Sequence, residues 1–404
     1  MTENRLQPRL KGDVNVLLSA PGMATLFNAL NNEARFVGGC VRDSLLGQIP
    51  GDIDIATPWQ PNSVTKRLES AGFTIHPTGV DHGTVLAVTP DKLGQYEVTT
   101  LRKDVQTDGR HAVVAFTQSY VEDAQRRDLT FNAMSMDHEG NVFDYFDGIG
   151  DLSSGTVRFV GEPRTRIQED RLRILRFFRF FARYGAIEPD NATRTAMIEE
   201  ISNINSLSGE RLNLELSKIL IGPRPVMIVQ RMLDYGLLQR LIGLPIDLDS
   251  FRRLVGVEGA MKTANVQRRF AILLDRSRDR IDLLADRFRW PNRDRQRMRL
   301  MADGALPPME LSAMIYRFGS MAAQDWLVLN ATSLNQPVNR ELWQMAHAWQ
   351  PPVFPIKGHH ILDAGYTAGP IIGELRLKLE EWWISENFEP TLERLLEKLH
   401  QLGT

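Results

Sequence analysis

The chain reads as an α+β protein, with a small mixed or antiparallel sheet over roughly its first 155 residues and helices from there onward. Three observations lead there. Short runs rich in β-branched and aromatic residues are separated by Gly, Asp and Pro, as in a small sheet. From about residue 165 the pattern turns helical, with Gly and Pro as the punctuation. And 404 residues are too many for one ordinary core, so two to four domains are expected.

Taken in order, residues 12–34 suggest one amphipathic helix and a turn ahead of the first strand. Residues 35–57, RFVGGCVRDSLLGQIPGDIDIAT, carry the most chemistry. A short apolar strand ends in Gly38-Gly39, a helical segment follows, Gly47 and Pro50-Gly51 break it, and residues 52–55 form a second strand. Side chains alternate along a strand, so Asp52 and Asp54 share one face and Ile53 and Ile55 the other. Two carboxylates so placed repel unless a cation lies between them. Mg2+ takes carboxylate and phosphate oxygens, so a nucleoside triphosphate would complete such a site. Gly38 and Gly39 admit backbone N–H groups close to phosphate, the next helix turns its positive end the same way, and Arg42 adds a planar positive fork. The plainer alternative is a hairpin with a solvated acidic edge.

Residues 62–71 read as a helix ended by Gly72, and strands at 73–76, 83–88 and 96–100 continue the sheet. Glu97, a charge inside the last of these, is either a third metal carboxylate or a solvent-facing residue. Residues 101–115, LRKDVQTDGRHAVVA, are polar and broken at Asp108-Gly109, which suggests a mobile loop between strands, functional or merely superficial. Arg126-Arg127-Asp128 would open a helix, and residues 142–152 form a Gly/Asp turn region that ends the sheet domain.

Composition narrows the function classes. The net charge of −2 sets up no global basic field, so any nucleic-acid contact has to be a local patch. Cys40 is the sole cysteine, which excludes an internal disulfide and reads as a small packing residue. No apolar run approaches the length of a membrane span and the first residues carry no apolar secretory core, so the cytoplasm is the expected compartment. His82 and His111, like the other histidines, read as surface or packing residues, and Trp382-Trp383 as helix packing.

Residues 168–184, QEDRLRILRFFRFFARY, form the most informative helix. At 100° per residue, Arg173, Arg176, Arg179 and Arg183 fall within about 120° of one another, with Asp170 about 60° to the other side of Arg173. Positive charge exceeds negative on this stripe. Arginines beside aromatics meet phosphates or bases, or else this is a surface helix with an Asp170–Arg173 ion pair. A carboxylate accepts from the exocyclic amine of cytosine or adenine, and a guanidinium donates to ring nitrogens and a carbonyl. Asp170 and Arg173 together can therefore present a base-pairing edge made of protein that refuses uracil.

In order, Gly38-Gly39-x-Val41-Arg42-Asp43, Asp52-x-Asp54, Arg126-Arg127-Asp128, Asp144…Asp147-Gly148-x-x-Asp151-Leu152, Glu169-Asp170-x-x-Arg173 and Ser208-x-Glu210-Arg211 resemble the motifs of the class II tRNA nucleotidyltransferases, the CCA-adding enzymes, whose head is shared with bacterial poly(A) polymerases. The strong part of the resemblance covers about residues 35–220. It implies a polymerase-β-like nucleotidyltransferase head followed by an elongated all-α neck, body and tail, divided at 1–155, 156–225, 226–350 and 351–404. It implies that Asp52 and Asp54 hold two Mg2+ ions, that Gly38, Gly39 and Arg42 cradle the triphosphate of CTP or ATP, and that Arg127 and Asp128 meet its sugar and phosphates. Asp170 and Arg173 would read the base, supported by Arg176 and Arg179. Arg102, Asp108, Gly109 and Arg110 would belong to a flexible loop that serves the change from C to A addition. The implied partner is tRNA, at its 3′ end and acceptor and T arms, with no membrane and no protein partner required. Basic clusters at Arg268, Arg269, Arg293, Arg295, Arg297 and Arg299 would track the tRNA backbone, flanking a solvated middle diluted by Asp275, Asp279, Asp282 and Asp286. A poly(A) polymerase, an enzyme adding only CC or only A, and a non-catalytic RNA-binding protein are the alternatives.

Overall fold

The short β-branched runs of the first third pair as the pattern requires. In the computed structural model, which describes residues 15–79, 83–107 and 112–402, they give β1 (Arg35–Val37), β2 (Asp54–Thr57), β3 (Thr74–Gly79), β4 (Thr84–Val88), β5 (Gln95–Thr100), β6 (Arg102–Thr107), β7 (Ala112–Phe116), β8 (Ser135–Met136) and β9 (Val142–Phe143). Seven form one mixed sheet in the order β3-β4-β5-β2-β1-β8-β9, and β6 pairs with β7 as a separate ribbon. β2 runs parallel to β5 with Asp54 opposite Glu97, while β1 is antiparallel to both β2 and β8. The inner faces bury Phe36, Ile55, Val85, Ala87 and Val98.

Several elements differ from the pattern-based expectation. Residues 15–29 hold two short helices, Asn15–Leu18 and Met23–Ala29, because Pro21-Gly22 interrupts them. Gly22 takes φ +70°, and a Cβ there would lie 2.7 Å from Thr89 Cγ2. The segment expected to be a loop after residue 101 is the antiparallel ribbon β6–β7, in which Arg102 lies opposite Phe116. Its β-branched residues on both arms favour a ladder over a coil. Asp108, Gly109, Arg110, His82 and His111 lie outside the described residues. Arg126-Arg127-Asp128 follows the helix Tyr120–Gln125 instead of opening one. Cys40 is buried, its thiol donates to the Val37 carbonyl at 3.3 Å, and burial pushes its pKa up to about 11, which fits a packing role.

The chain divides into two compact units, Met1–Leu244 and Pro245–Thr404. In the first, the helix Leu172–Tyr184 buries Leu172, Ile174, Leu175, Phe177, Phe178, Phe180 and Phe181, and packs against Gly209–Ile221. In the second unit every secondary-structure element among the described residues is a helix. Near its end Phe354, Ile356, Leu375, Leu379, Trp383, Leu395 and Leu399 close one apolar cluster, so Trp383 is a packing residue as expected. Among the described residues no helix is long and apolar enough to cross a membrane.

Candidate active site

The parallel pairing of β2 with β5 brings the carboxylates together. Asp54 opens β2, but Asp52 precedes it in the bend after Pro50-Gly51, so the four-residue strand lies two residues later than the expected 52–55. Asp52 is exposed and Asp54 half-buried, and both line one cavity of about 630 Å³ together with Glu97, Leu93 and Tyr96. Burial pushes the Asp54 carboxyl above its usual range, the Glu97 charge adds to this, and Asp52 contributes less, with Arg127 opposing them. Glu97 thus stands with the aspartates. Among the described residues, no group of three or more His, Cys, Asp or Glu is close enough to hold a metal ion by itself. The donor set here is a pair of aspartates with Glu97 in register, open to oxygens from outside the chain.

Asp54 also lines a second cavity of about 500 Å³, and this one is positive. Gly38 and Gly39 form its floor at the start of the helix Gly39–Leu45. Gly38 adopts φ +76°, a conformation that favours glycine, and a Cβ there would sit 3.0 Å from Arg127 Nη1. Arg42 is buried, donating to Asp43 Oδ1 from Nε and Nη2 at 2.9 and 2.7 Å and to Asn132 Oδ1 from Nη1 at 2.6 Å. Its fork is tied by the protein itself, where the sequence suggested an open one.

The wall is built from Arg127, Asp128, Asp170 and the arginines of Leu172–Tyr184. Arg127 donates to Asp123 Oδ2 from Nε and Nη2, and Arg126 donates to Asp123 Oδ1. Burial raises the Asp123 carboxyl, but the two guanidiniums outweigh it and hold the group below the usual range. Asp128 is buried and accepts from Arg176 Nε at 2.6 Å, Asn132 Nδ2 at 3.1 Å and the Leu129 N–H at 2.8 Å. Burial works against this carboxylate too, and these donors overcome it, so its pKa also lies low. Arg179 donates to Glu215 at 2.7 Å. Arg176 and Arg179, which lacked an acid on their own helix, therefore find acids on other elements, while Arg183 donates to Gln48 Oε1 at 2.7 Å.

The base-reading pair is arranged differently from the helical projection. The helix is not continuous: Pro163–Glu169 ends at Asp170, which is extended at φ −155°, and Leu172–Tyr184 starts after it. Asp170 Oδ1 accepts the Leu172 N–H at 3.1 Å, a local bond that competes with helix continuation. Its Oδ2 pairs with Arg211 at 2.7 Å, and Arg173 pairs with Glu169 and donates to the carbonyls of Arg166 and Arg126. The Asp170–Arg173 pair is thus absent, although both residues line the cavity. Arg102 does not line it. Arg211 and Asn132 in this wall, and Glu215 and Asp123 that pair with its arginines, are residues to which the sequence reading gave no role. The i, i+4 spacing of Arg211 and Glu215 was the available signal.

The basic clusters of the second unit are not laid out as a phosphate track. Arg268 and Arg269 are buried and donate to Glu258 at 2.9 and 2.7 Å, and Arg297 donates to Asp325 at 2.7 Å. Arg295 pairs with Asp286 and Arg299 with Asp282. A cavity of about 820 Å³ beside Arg268, Arg297, Trp343 and His347 is mostly apolar, and these two arginines are engaged with carboxylates beneath it.

Residues 34–158 match the family model "Poly A polymerase head domain" and residues 187–245 match "Probable RNA and SrmB- binding site of polymerase A". The chain is 33% identical to CCA tRNA nucleotidyltransferase 1, mitochondrial, of Danio rerio, over 94% of its own length and 90% of the relative's. It is 40% identical to a CCA-adding enzyme of Bacillus velezensis over 53% of its length and 52% of the relative's. Among solved structures, the Bacillus stearothermophilus CCA-adding enzyme in complex with CTP superposes with a TM-score of 0.78 at 26% identity, covering 95% of this chain and 98% of that one.

Proposed function

The chain belongs to the CCA tRNA nucleotidyltransferase family, and we propose on that premise that it extends tRNA 3′ ends by C, C and A from CTP and ATP without a nucleic-acid template. The observation that carries this reading is the sharing of Asp54 between two cavities, one acidic and one positive. A triphosphate in the positive cavity has its reacting end beside the carboxylates.

Asp52 and Asp54 would hold Mg2+, with Glu97 beside them. A carboxyl whose ionisation is opposed by burial and by a neighbouring acid fits a cation partner. When bound, such ions activate a hydroxyl and neutralise charge on the α-phosphate and the departing pyrophosphate. The other roles belong to the chain. Gly38 and Gly39 let backbone N–H groups approach phosphate oxygens, and Arg42, fixed by Asp43 and Asn132, supplies positive charge behind them. Arg127 and Asp128 lie where sugar and phosphates pass, Asp128 with Arg176 forming a braced wall. Asp170 accepts from the amine of cytosine or adenine, and Arg173, Arg176 and Arg179 support that side.

The head, neck, body and tail division at 1–155, 156–225, 226–350 and 351–404 is part of the same proposal, with tRNA held by the parts after the neck. The cytoplasm is proposed as its compartment, although the vertebrate relatives are named as mitochondrial. The test is a tRNA ending at its discriminator base, offered CTP, ATP or both. Three added residues with both nucleotides and two with CTP alone are expected. Long A tails would point to a poly(A) polymerase, and no extension would refute the enzyme.

A further inference from the structure

The cavity that holds Asp52, Asp54 and Glu97 also has an apolar side. Cross-strand partners share a face, so the row Asp54–Glu97–Leu86 crosses β2, β5 and β4 with acids at one end and a leucine at the other. Beyond Leu86 the turn between β4 and β5 carries Leu93, which is 75% exposed and lines the same cavity. A single exposed leucine is ordinary, but the turn that displays this one is tightly held. Asp91 Oδ1 accepts from the Thr89 hydroxyl and from the Leu93 N–H, the latter at 3.0 Å. The Gly94 N–H donates to Thr89 Oγ1 at 2.9 Å, and the Thr89 N–H donates to the Gly94 carbonyl at 3.0 Å. Lys92 takes φ +61°, a left-handed conformation uncommon for lysine. Gly94 passes so close to Tyr96 Oη and the Pro21 carbonyl that a Cβ there would lie 2.6 and 2.9 Å from them, and Tyr96 Oη donates to that carbonyl at 2.7 Å. Bonds on both sides thus fix the backbone of a residue whose apolar side chain stays largely in water.

We propose that Leu93, with Leu86 behind it, is the platform on which the last nucleotide of the tRNA acceptor packs before each addition. This rests on the reading that the triphosphate occupies the positive cavity, and it adds where the other substrate lies. Displacement at the α-phosphate is in line, so the attacking 3′-hydroxyl comes from the side opposite the departing pyrophosphate. With Asp54 shared between the two cavities, that side is the acidic one. Carboxylates repel the phosphates of an RNA end, so the hold on it there comes from the faces of base and ribose. An apolar platform makes no base-specific hydrogen bond. It therefore accepts in turn the discriminator base, the first C and the second C, as stacking surfaces for single strands do.

The experiment measures kcat/KM for tRNA at saturating nucleotide, and KM for CTP at saturating tRNA, using the full-length protein as wild type, Leu93→Ser and Leu93→Met. In Leu93→Ser, kcat/KM for tRNA falls about tenfold, the size set by one leucine losing its apolar cover. KM for CTP and the melting temperature keep their wild-type values. The fall is alike for acceptors ending at the discriminator base, the first C and, with ATP, the second C. Leu93→Met recovers most of it, since methionine keeps an apolar side chain of similar volume. An unchanged kcat/KM for tRNA in Leu93→Ser, a KM for CTP that rises in proportion, or a loss confined to one of the three ends overturns the proposal. So does a lowered melting temperature with Leu93→Met no better than Leu93→Ser, which would make Leu93 a structural residue. A wild type that extends no tRNA sinks the functional reading and the platform together. A wild type that adds three residues, with Leu93→Ser equally fast, sinks the platform alone.

Discussion

The helix Leu172–Tyr184 of the first unit and the segment from Arg268 to Arg299 of the second are both dense in arginine, yet they use it in opposite ways. In the first, Arg173, Arg176 and Arg179 are each met by one acid and still line a cavity of about 500 Å³. In the second, Arg268 and Arg269 are buried against Glu258, whose side chain has no exposure at all. Guanidinium density in a sequence does not announce a binding surface. What matters is whether the acids that answer it leave a face toward a cavity or close it off. A half-answered arginine cluster lies ready for a polyanion, and a fully enclosed one is an internal brace.

The sharpest way to strain this contrast is at the acidic side of the open cavity. Asp54→Asn should lower nucleotide addition about a thousandfold or more, since a cation held there would contribute several kcal/mol. The same change should raise thermal stability at pH 7. The folded-state pKa of Asp54 is raised by burial and by Glu97, so the native state holds its proton to higher pH than the unfolded state does. Stability is then lost as pH rises through that window, and an amide removes the loss. Thermal melts of both proteins at pH 7 check it. A melting point that falls would mean that Asp54 is a structural brace, like the acids of the second unit.

Next in size is the brace itself. Glu258→Ala removes the acceptor of Arg268, Arg269 and the Asn265 N–H at once. Breaking a buried pair from one side costs about 3–5 kcal/mol, to be read as a lowered midpoint in chemical denaturation. Whatever fraction stays folded should keep its preference for CTP over UTP. A changed nucleotide preference would break the comparison, because it would make the enclosed cluster part of nucleotide selection.

Much of the open cavity could be read from the sequence, and its gaps have physical causes. Asp52, Asp54, Gly38 and Gly39 lie close in sequence, so they fall at one end of the sheet even though Asp52 sits in the bend before β2 and not in the strand. Glu97 lies far beyond Asp54 in the sequence, and only the parallel register of β2 and β5 brings it, exposed, to the same cavity as the aspartates. The continuous helix expected through Asp170 and Arg173 is broken at Asp170, although both residues line the cavity, because a helical projection assumes an unbroken helix. Neither Gly nor Pro marks the break, which comes from an aspartate bonding to the backbone two residues on. Arg211 stood in a quoted motif, but its partner Asp170 comes from another element, so the pairing itself was out of reach. The two-helix start was visible in Pro21-Gly22, a turn signal outweighed by the apolar pattern on either side.

The acids of the open cavity give a smaller effect, seen in pH dependence. Arg176 and other donors hold the Asp128 carboxyl below its usual range against burial, and Arg127 and Arg126 do the same for Asp123. A depressed folded-state pKa contributes stability that is present above the unfolded value of about 4 and lost as pH falls through the folded one. Asp128→Asn should therefore flatten the acid limb of the stability curve below about pH 4 while weakening the protein at pH 7. Denaturation midpoints across pH 2–7 check this. An unchanged acid limb would show that the Asp128–Arg176 pair is not coupled to folding.

The smallest effect belongs to Arg293, the residue that lies between the two classes. It is exposed and makes no ion pair among the described residues, although it sits one turn from arginines that do. An exposed, unbraced guanidinium adds little to the fold, so Arg293→Ala should shift stability by less than about 0.5 kcal/mol. If tRNA passes this face, the same change should weaken binding modestly and reduce the slope of log affinity against log salt by about one. Arg268→Ala should do the reverse, lowering stability sharply with no separate effect on the salt slope of the folded protein. Measuring both slopes by filter binding puts the distinction to its most direct test. An arginine already answered by buried acids has no counterion to release, and one left in solvent does.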